Sequence, residues 1–238
     1  MNADRVNQET WETVGRHYLE RQKPCPIPDS WDWAMYGTGP GVEVLGDVAG
    51  QRVLDLGCGS GRHAAYLADC HGALVEGVDY STTQLQRAQH HFGHLNGVHF
   101  HHADAVDHLK AAAPYDVIYS VLGLMYVDPH QLLPALAAAT QPGARLVASV
   151  LHTSVTGAGP STTVTPRTEK LTLPGAGTLP VRMWVLAPET WERLLAEHHF
   201  TVEAIAEISP EGSESPVSCR LIQARRTHST SPTPTPAA

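Results

Sequence analysis

The stretch from Val53 to Gly61, VLDLGCGSG, constrains this chain more than any other. An apolar run of strand character stops at three glycines, and GRHAAYLADCHG, residues 61–72, follows with helical character and ends at Gly72. Glycines at alternate positions let a backbone turn sharply and lie against a ligand with no Cβ in the way. The dinucleotide fingerprint is G-x-G-x-x-G, whereas these glycines fall at Gly57, Gly59 and Gly61, and Arg62 stands where the third glycine belongs. No phosphate-loop sequence G-x-x-x-x-G-K-[ST] occurs. The turn is therefore not patterned for a pyrophosphate, but a nucleoside still fits. Asp79 closes the next strand 20 positions past Gly59, where an acidic side chain in a doubly wound sheet accepts hydrogen bonds from a ribose.

The alternation continues beyond the turn. Residues 73–80, 97–104, 115–124 and 144–152 read as strands, and the segments between them read as helices. Ser81 with Gln84 is a capping-box pattern. Asp128, Pro129 and Gln131 supply a cap, a first-turn proline and a box partner, and Pro134 should bend that helix. A helix over 187–200 and two closing strands at 201–208 and 218–226, antiparallel at the end, complete the pattern. Strands alternating with helices imply a parallel sheet covered on both faces.

Three regions differ in character. Residues 1–50 form a lead-in. It holds a helix over 8–22 with Trp11, Val14, Tyr18 and Leu19 on one face, a Pro-rich break, and an irregular aromatic stretch through Trp31, Trp33 and Tyr36. Residues 153–180, rich in Thr, Pro, Gly and Ser, read as an insertion with short strand structure near 162–173. The tail 227–238 has low complexity and is expected to be disordered. The net charge of −8 argues against nucleic acid or an anionic membrane as the main partner. No apolar run nears the roughly 20 residues of a membrane helix, and the polar N-terminus does not read as a signal peptide. Four cysteines without a C-x-x-C pair read as reduced thiols of a cytoplasmic protein.

In these segments the chain resembles the class I S-adenosylmethionine (SAM)-dependent methyltransferases. VLDLGCGSG is similar to their first motif and GVDYS to their second. HHADA matches the third, YDVIYSVLGLMYV the fourth, and TQPGARLVAS the strand that follows. The resemblance covers about 51–151 closely and 181–226 loosely. It implies a Rossmann-like, doubly wound, mostly parallel seven-stranded α/β sheet with an N-terminal helical lid over 1–50 and a SAM-binding domain over 51–226. It also implies SAM as cofactor and S-adenosylhomocysteine as product. Gly57, Cys58, Gly59 and Gly61 would lie along the methionine and ribose, and Asp55 near the ammonium. Asp79 would hold the ribose diol and Tyr80 would flank the adenine. Asp104 and the Ala105 N–H would meet the adenine's polar edge, and Ser120 and Val121 would offer backbone carbonyls. Tyr18, on the lid, would cover the cofactor.

The acceptor is less constrained. An Asn/Asp-Pro-Pro-Tyr/Phe motif, which relatives acting on DNA bases or peptide glutamines carry after the fourth strand, is replaced here by SVLG. The expected acceptor is a small, fairly apolar specialised metabolite, methylated at O, N, S or C, which the acidic net charge and the aromatic lead-in favour over nucleic acid. His152, at the end of the fifth strand, and Tyr126 are the candidate catalytic groups, and His17, Trp33, Tyr36 and Met125 the candidate acceptor-lining residues. The histidines at 90, 94, 99, 101 and 102 do not share a face or a carboxylate, so no metal site is expected. Two alternatives stand: a protein of this fold that binds without transfer or catalyses another reaction such as cyclisation, and an NAD(P)-dependent oxidoreductase. A monomer or homodimer is expected.

Overall fold

The computed structural model describes residues 3–34, 36–212, 214 and 216–227. The expected disorder of 227–238 falls, from residue 228 onward, outside the described residues. The elements are α1 (Ala3–Glu20), β1 (Arg52–Leu56), α2 (Arg62–His71), β2 (Leu74–Asp79), α3 (Thr82–Phe92), β3 (Val98–His102), α4 (Ala105–Ala111), β4 (Tyr115–Val121), α5 (Pro129–Ala138), β5 (Thr140–Thr153), β6 (Arg167–Leu173), β7 (Gly177–Met183), α6 (Pro188–Glu197), β8 (Phe200–Ile208) and β9 (Ser218–Arg226).

Seven strands form one sheet in the order β3-β2-β1-β4-β5-β9-β8. The first five are parallel to one another, while β9 runs antiparallel to both β5 and β8. Strand order reverses between β1 and β4. Open α/β sheets place ligands at such a switch point, outside the carboxyl ends of the strands. Each face carries its own apolar core. Leu109, Leu132, Leu136, Trp191 and Leu194 of α4, α5 and α6 cover one face. Ala64 and Leu67 of α2, with Trp31 and Trp33 of the lead-in, cover the other.

Local chemistry explains the boundaries. Gly72 caps α2 in the left-handed conformation (φ 65°); its N–H donates to Ala68 O and the following Ala73 N–H donates to Leu67 O. Ser81 Oγ accepts from the Gln84 N–H at 3.2 Å, but the box is half-formed. Gln84 Oε1 instead accepts from Arg87, and the Ser81 N–H goes to Asp79. Asp128 caps α5 through the His130 N–H, with Pro129 at its first turn.

The N-terminal helix starts five residues earlier than its spacing suggests and buries a different stripe. Asn7, Thr10, Val14 and His17 are buried, while Trp11, Tyr18 and Leu19 are half-buried. The polar members have backbone partners. Asn7 exchanges hydrogen bonds with both the N–H and the C=O of Arg182, each at 2.8 Å, and Thr10 Oγ1 donates to Pro180 O at 2.6 Å. Asn7 and Thr10 thus act as a neighbouring strand for the free edge of β7. On its other side α1 meets α3, where the Glu12 carboxylate accepts from the Thr82 and Thr83 N–H groups. A carboxylate there satisfies two of the four open donors of a helix N-terminus. The β6–β7 hairpin runs to Met183, past the Thr/Pro/Gly-rich stretch, because Val181 and Met183 enter the core.

Candidate active site

The glycine turn joins β1 to α2 at the carboxyl edge. The Gly57 and Cys58 N–H groups both donate to Val78 O, at 2.9 and 3.0 Å, pinning the turn to β2. A Cβ on Gly61, at φ 77°, would lie 2.5 Å from the Phe100 ring and 2.9 Å from Ala88 Cβ, so this glycine lets α2, α3 and β3 meet. A Cβ on Gly59 would meet nothing within 4 Å, so open space lies before the turn there.

Asp79, at the end of β2, ties the turn to α3. Its Oδ2 accepts from the Gly59 N–H and its Oδ1 from the Ser81 N–H, both at 2.8 Å. Burial raises its pKa and the Glu12 charge adds to that, against the lowering by the Ser81 and Gly59 donors. Each oxygen keeps a lone pair for a further donor.

Asp55 lies beneath the turn, 2% exposed. Burial pushes its pKa up to about 7, with the Tyr119 hydroxyl lowering it, the Asp79 charge raising it and the Ala64 N–H lowering it. Its Oδ2 and the Tyr119 hydroxyl are nevertheless both buried without a hydrogen-bond partner. Cys58 is buried, and its thiol is held well above its ordinary pKa by that burial.

At the end of β3, Asp104 Oδ1 caps α4 by accepting from the Val106 and Asp107 N–H groups, at 2.8 and 3.1 Å. Capping therefore uses one oxygen. Among the described residues nothing bonds Oδ2 or the adjacent Ala105 N–H. Tyr80 is 42% exposed at this edge. At the end of β4, Ser120 Oγ donates to Leu56 O at 2.7 Å, which leaves its backbone rather than its hydroxyl to face outward chemistry.

Two features here escaped the sequence reading. Leu122 holds a left-handed φ of 56°, with its N–H donating to Ser149 Oγ at 3.0 Å. A Cβ on Gly123 would fall 2.7 Å from Leu56 O. A bulky residue at positive φ is costly and is retained where surrounding structure dictates it. The SVLG sequence carries the glycine, but nothing in it marks Leu122.

The residues expected to serve the acceptor are mostly engaged elsewhere. His152 is half-buried. Arg220 Nη2 lies 3.2 Å from its Nε2 and also pairs with Glu207 Oε2 at 2.9 Å. Arginine only donates, so Nε2 is the acceptor and Nδ1 carries the proton, buried and without a partner. Burial and then the Arg220 charge lower the His152 pKa, keeping it neutral. The half-buried Tyr126 ring packs edge-on against Trp11 at 5.4 Å, and burial raises its pKa above the usual tyrosine value. Met125 is a core residue whose Sδ accepts from the Leu151 N–H at 3.0 Å. Trp33 is fully buried, its Nε1–H bonded to Gly41 O and its ring against Trp31 at 5.1 Å. Tyr36 Oη lies 3.6 Å from Cys219 Sγ, and His17 is buried beside Tyr18. The Tyr18 ring lies under the Arg87 guanidinium at 4.7 Å, between α1 and α3. The Pro-rich segment does cross the glycine turn, with Cys25 Sγ 3.4 Å from Ser60 Oγ.

A cavity of about 340 Å³ lies at the opposite, amino edge of the sheet, beside Asp47, Asp116 and Arg145, and takes no part in this site. Among the described residues no group of three or more His, Cys, Asp or Glu side chains is placed to hold a metal ion, and no helix is long and apolar enough to cross a membrane.

A sheet of this order with a glycine turn at β1, an acidic residue ending β2 and two antiparallel closing strands is the class I SAM-dependent methyltransferase fold. Residues 53–143 match the family described as a methyltransferase domain. An O-methyltransferase of Aspergillus sclerotiorum, resE, is 34% identical over 106 residues, covering 43% of this chain and 40% of the relative. The chain spans less than half the length of the curated relatives it matches. Among solved structures, a SAM-dependent methyltransferase from Mesorhizobium loti aligns with a TM-score of 0.56 at 23% identity, over 76% of this chain and 94% of that one. The [4+2]-cyclase SpnF aligns with a TM-score of 0.65 at 15% identity, over 95% and 96%.

Proposed function

We propose that this protein is a SAM-dependent methyltransferase whose acceptor is a small, fairly apolar specialised metabolite. The observation that carries the reading is the Asp79 carboxylate, bonded to the Gly59 and Ser81 N–H groups at the switch point while keeping acceptor capacity on both oxygens. The site's donor set suits SAM. Asp79 is placed for the ribose diol, and Asp55, a buried acid with an orphaned oxygen, suits the methionine ammonium. Gly57, Cys58, Gly59 and Gly61 offer a backbone of close approach. The open Asp104 Oδ2 and Ala105 N–H match the donor and acceptor of an adenine edge, with Tyr80 beside them and the Ser120 and Val121 carbonyls across the turn.

Bound SAM supplies a methyl group on a sulfonium, a good leaving group, so the protein's main task is alignment and exclusion of water. On this reading α1 and the Pro-rich segment of residues 1–50 form a lid over the 51–226 domain, with Glu12 docking the lid onto α3. The 153–180 insertion contributes β6 and the start of β7, against which the lid rests. His152 acts as a neutral donor through Nδ1–H rather than as a base, because Arg220 occupies its lone pair. That favours acceptors that are already nucleophilic. Tyr126, His17, Trp33, Tyr36 and Met125 shape the walls from behind, through packing. All four cysteines are free, which fits a reducing, cytoplasmic setting.

The same lack of a free base keeps a second reading open, a reaction of bound substrate without methyl transfer, since this fold does not dictate one chemistry. Calorimetric titration with S-adenosylhomocysteine, with NADH as control, tests the cofactor. Saturable one-to-one binding of the former alone is expected, and binding of NADH alone would overturn the reading. Transfer of labelled methyl to product across an acceptor panel separates the transferase from the second reading.

A further inference from the structure

A cavity of about 460 Å³ opens between the end of α1 and the second half of α3, with Tyr18, Leu19, Lys23, Arg87, His90 and His91 in its wall. That volume lies within the roughly 300–1,000 Å³ of small-molecule sites. None of the residues of the glycine turn, nor Asp79 or Asp104, lines it. Every titratable wall group other than Tyr18 is basic, in a chain whose net charge is −8.

Arg87 is the decisive residue. It is only 8% exposed. Its Nη1 donates to Gln84 Oε1 at 2.6 Å, a neutral acceptor, and its guanidinium lies over the Tyr18 ring. The Lys23 ammonium lies 5.0 Å from the centroid of that same ring. Among the described residues neither Arg87 nor Lys23 forms an ion pair with a carboxylate. Burying a guanidinium without a counter-charge is unfavourable, and a planar guanidinium with free N–H groups is matched by a carboxylate. Tyr18 and Leu19 give the cavity an apolar wall beside those cations.

We propose that this cavity is a second binding site, separate from the cofactor turn, for a small organic carboxylate with a flat apolar body. The carboxylate pairs with Arg87 and Lys23, and the body lies along Tyr18 and Leu19. Its occupant bridges α1 to α3, so binding also tightens the docking of the N-terminal helix.

Benzoate is the probe and benzamide its uncharged counterpart, titrated calorimetrically against the whole protein. Saturable benzoate binding at or below about 10 mM is expected, with benzamide weaker by tenfold or more. Arg87→Gln should abolish benzoate binding while keeping S-adenosylhomocysteine affinity within about twofold, and Arg87→Lys should retain part of it. Should Arg87→Gln unfold, Lys23→Gln serves instead, with an expected loss of about threefold or more in benzoate affinity. Benzoate affinity should be the same with S-adenosylhomocysteine saturating. Absence of saturation, equal binding of benzamide, or retention in the glutamine variants overturns the proposal. Mutual exclusion with S-adenosylhomocysteine also overturns it, by making the cavity the seat of the cofactor's own carboxylate.

Discussion

The two halves of the sheet's carboxyl edge use their polar groups in opposite ways. On the β1–β3 side, Asp79 and Asp104 hold local backbone N–H groups and keep acceptor capacity in reserve, and Asp55 has an oxygen with no partner at all. On the β4–β9 side the polar groups close on one another: Ser120 on Leu56, Ser149 on Leu122, His152 on Arg220 and Arg220 on Glu207. One half keeps acceptor capacity in reserve, as the proposed cofactor site requires. The other pairs most of its polar groups with one another, leaving the Tyr119 hydroxyl and His152 Nδ1 as its buried unpaired groups among those described above.

The largest expected effect is on the received-ligand side. Gly61→Ala forces a Cβ against Phe100 at a left-handed φ. It should cost about 2–4 kcal/mol in urea unfolding, combining overpacking with the left-handed penalty. A cost near zero would mean that the turn adapts, and the contrast between a prebuilt and a closed half would lapse.

Next, Asp79→Ala removes a charged acceptor and the anchor of Gly59. A drop of tenfold or more in S-adenosylhomocysteine affinity is expected, since such bonds contribute about 1.5–3 kcal/mol. Calorimetry showing unchanged affinity would remove Asp79 from the ribose role.

Asp55 gives a pH signature. Its folded pKa of about 7 lies above the unfolded value near 4, so the folded state holds the extra proton between them. Stability of the unliganded protein should therefore fall as pH rises from about 4 through 7. An ammonium beside Asp55 favours the ionised form, so S-adenosylhomocysteine should bind about tenfold more weakly at pH 6 than at pH 8. Asp55→Asn should flatten both curves, and a wild-type affinity that ignores pH would place the ammonium elsewhere. Smallest of all, His152→Asn, on the β4–β9 side, should leave that affinity within about twofold. A larger change would show the two halves to be coupled.

The difference between the halves also decides what the sequence could convey. The sheet was legible because short segments rich in apolar residues alternate with helical ones between boundary residues such as Gly72, Ser81 and Asp128. The half proposed to hold the cofactor could be read because Gly57, Gly59 and Asp79 stand at a spacing that backbone geometry fixes. The half proposed to face the acceptor depends on partners far apart in the chain. Nothing near His152 announces Arg220, 68 positions away, and nothing near Tyr18 announces Arg87. The buried stripe of α1 was misplaced for a related reason. Helical periodicity scores apolar residues, whereas Asn7 and Thr10 are buried because the edge of β7 needs hydrogen-bond partners.

The double docking of α1 has a consequence for how the chain acquires its shape. Its anchors are the N–H groups of Thr82 and Thr83 on one side and the backbone of Pro180 and Arg182 on the other. During synthesis this helix is made well before its partners, and its docking surface is complete only once Arg182 has left the ribosome. Contacts of such long sequence separation form late and slowly. A helix made early is thus among the last to settle, and until then its polar stripe waits in water, which a more apolar stripe would tolerate far less well.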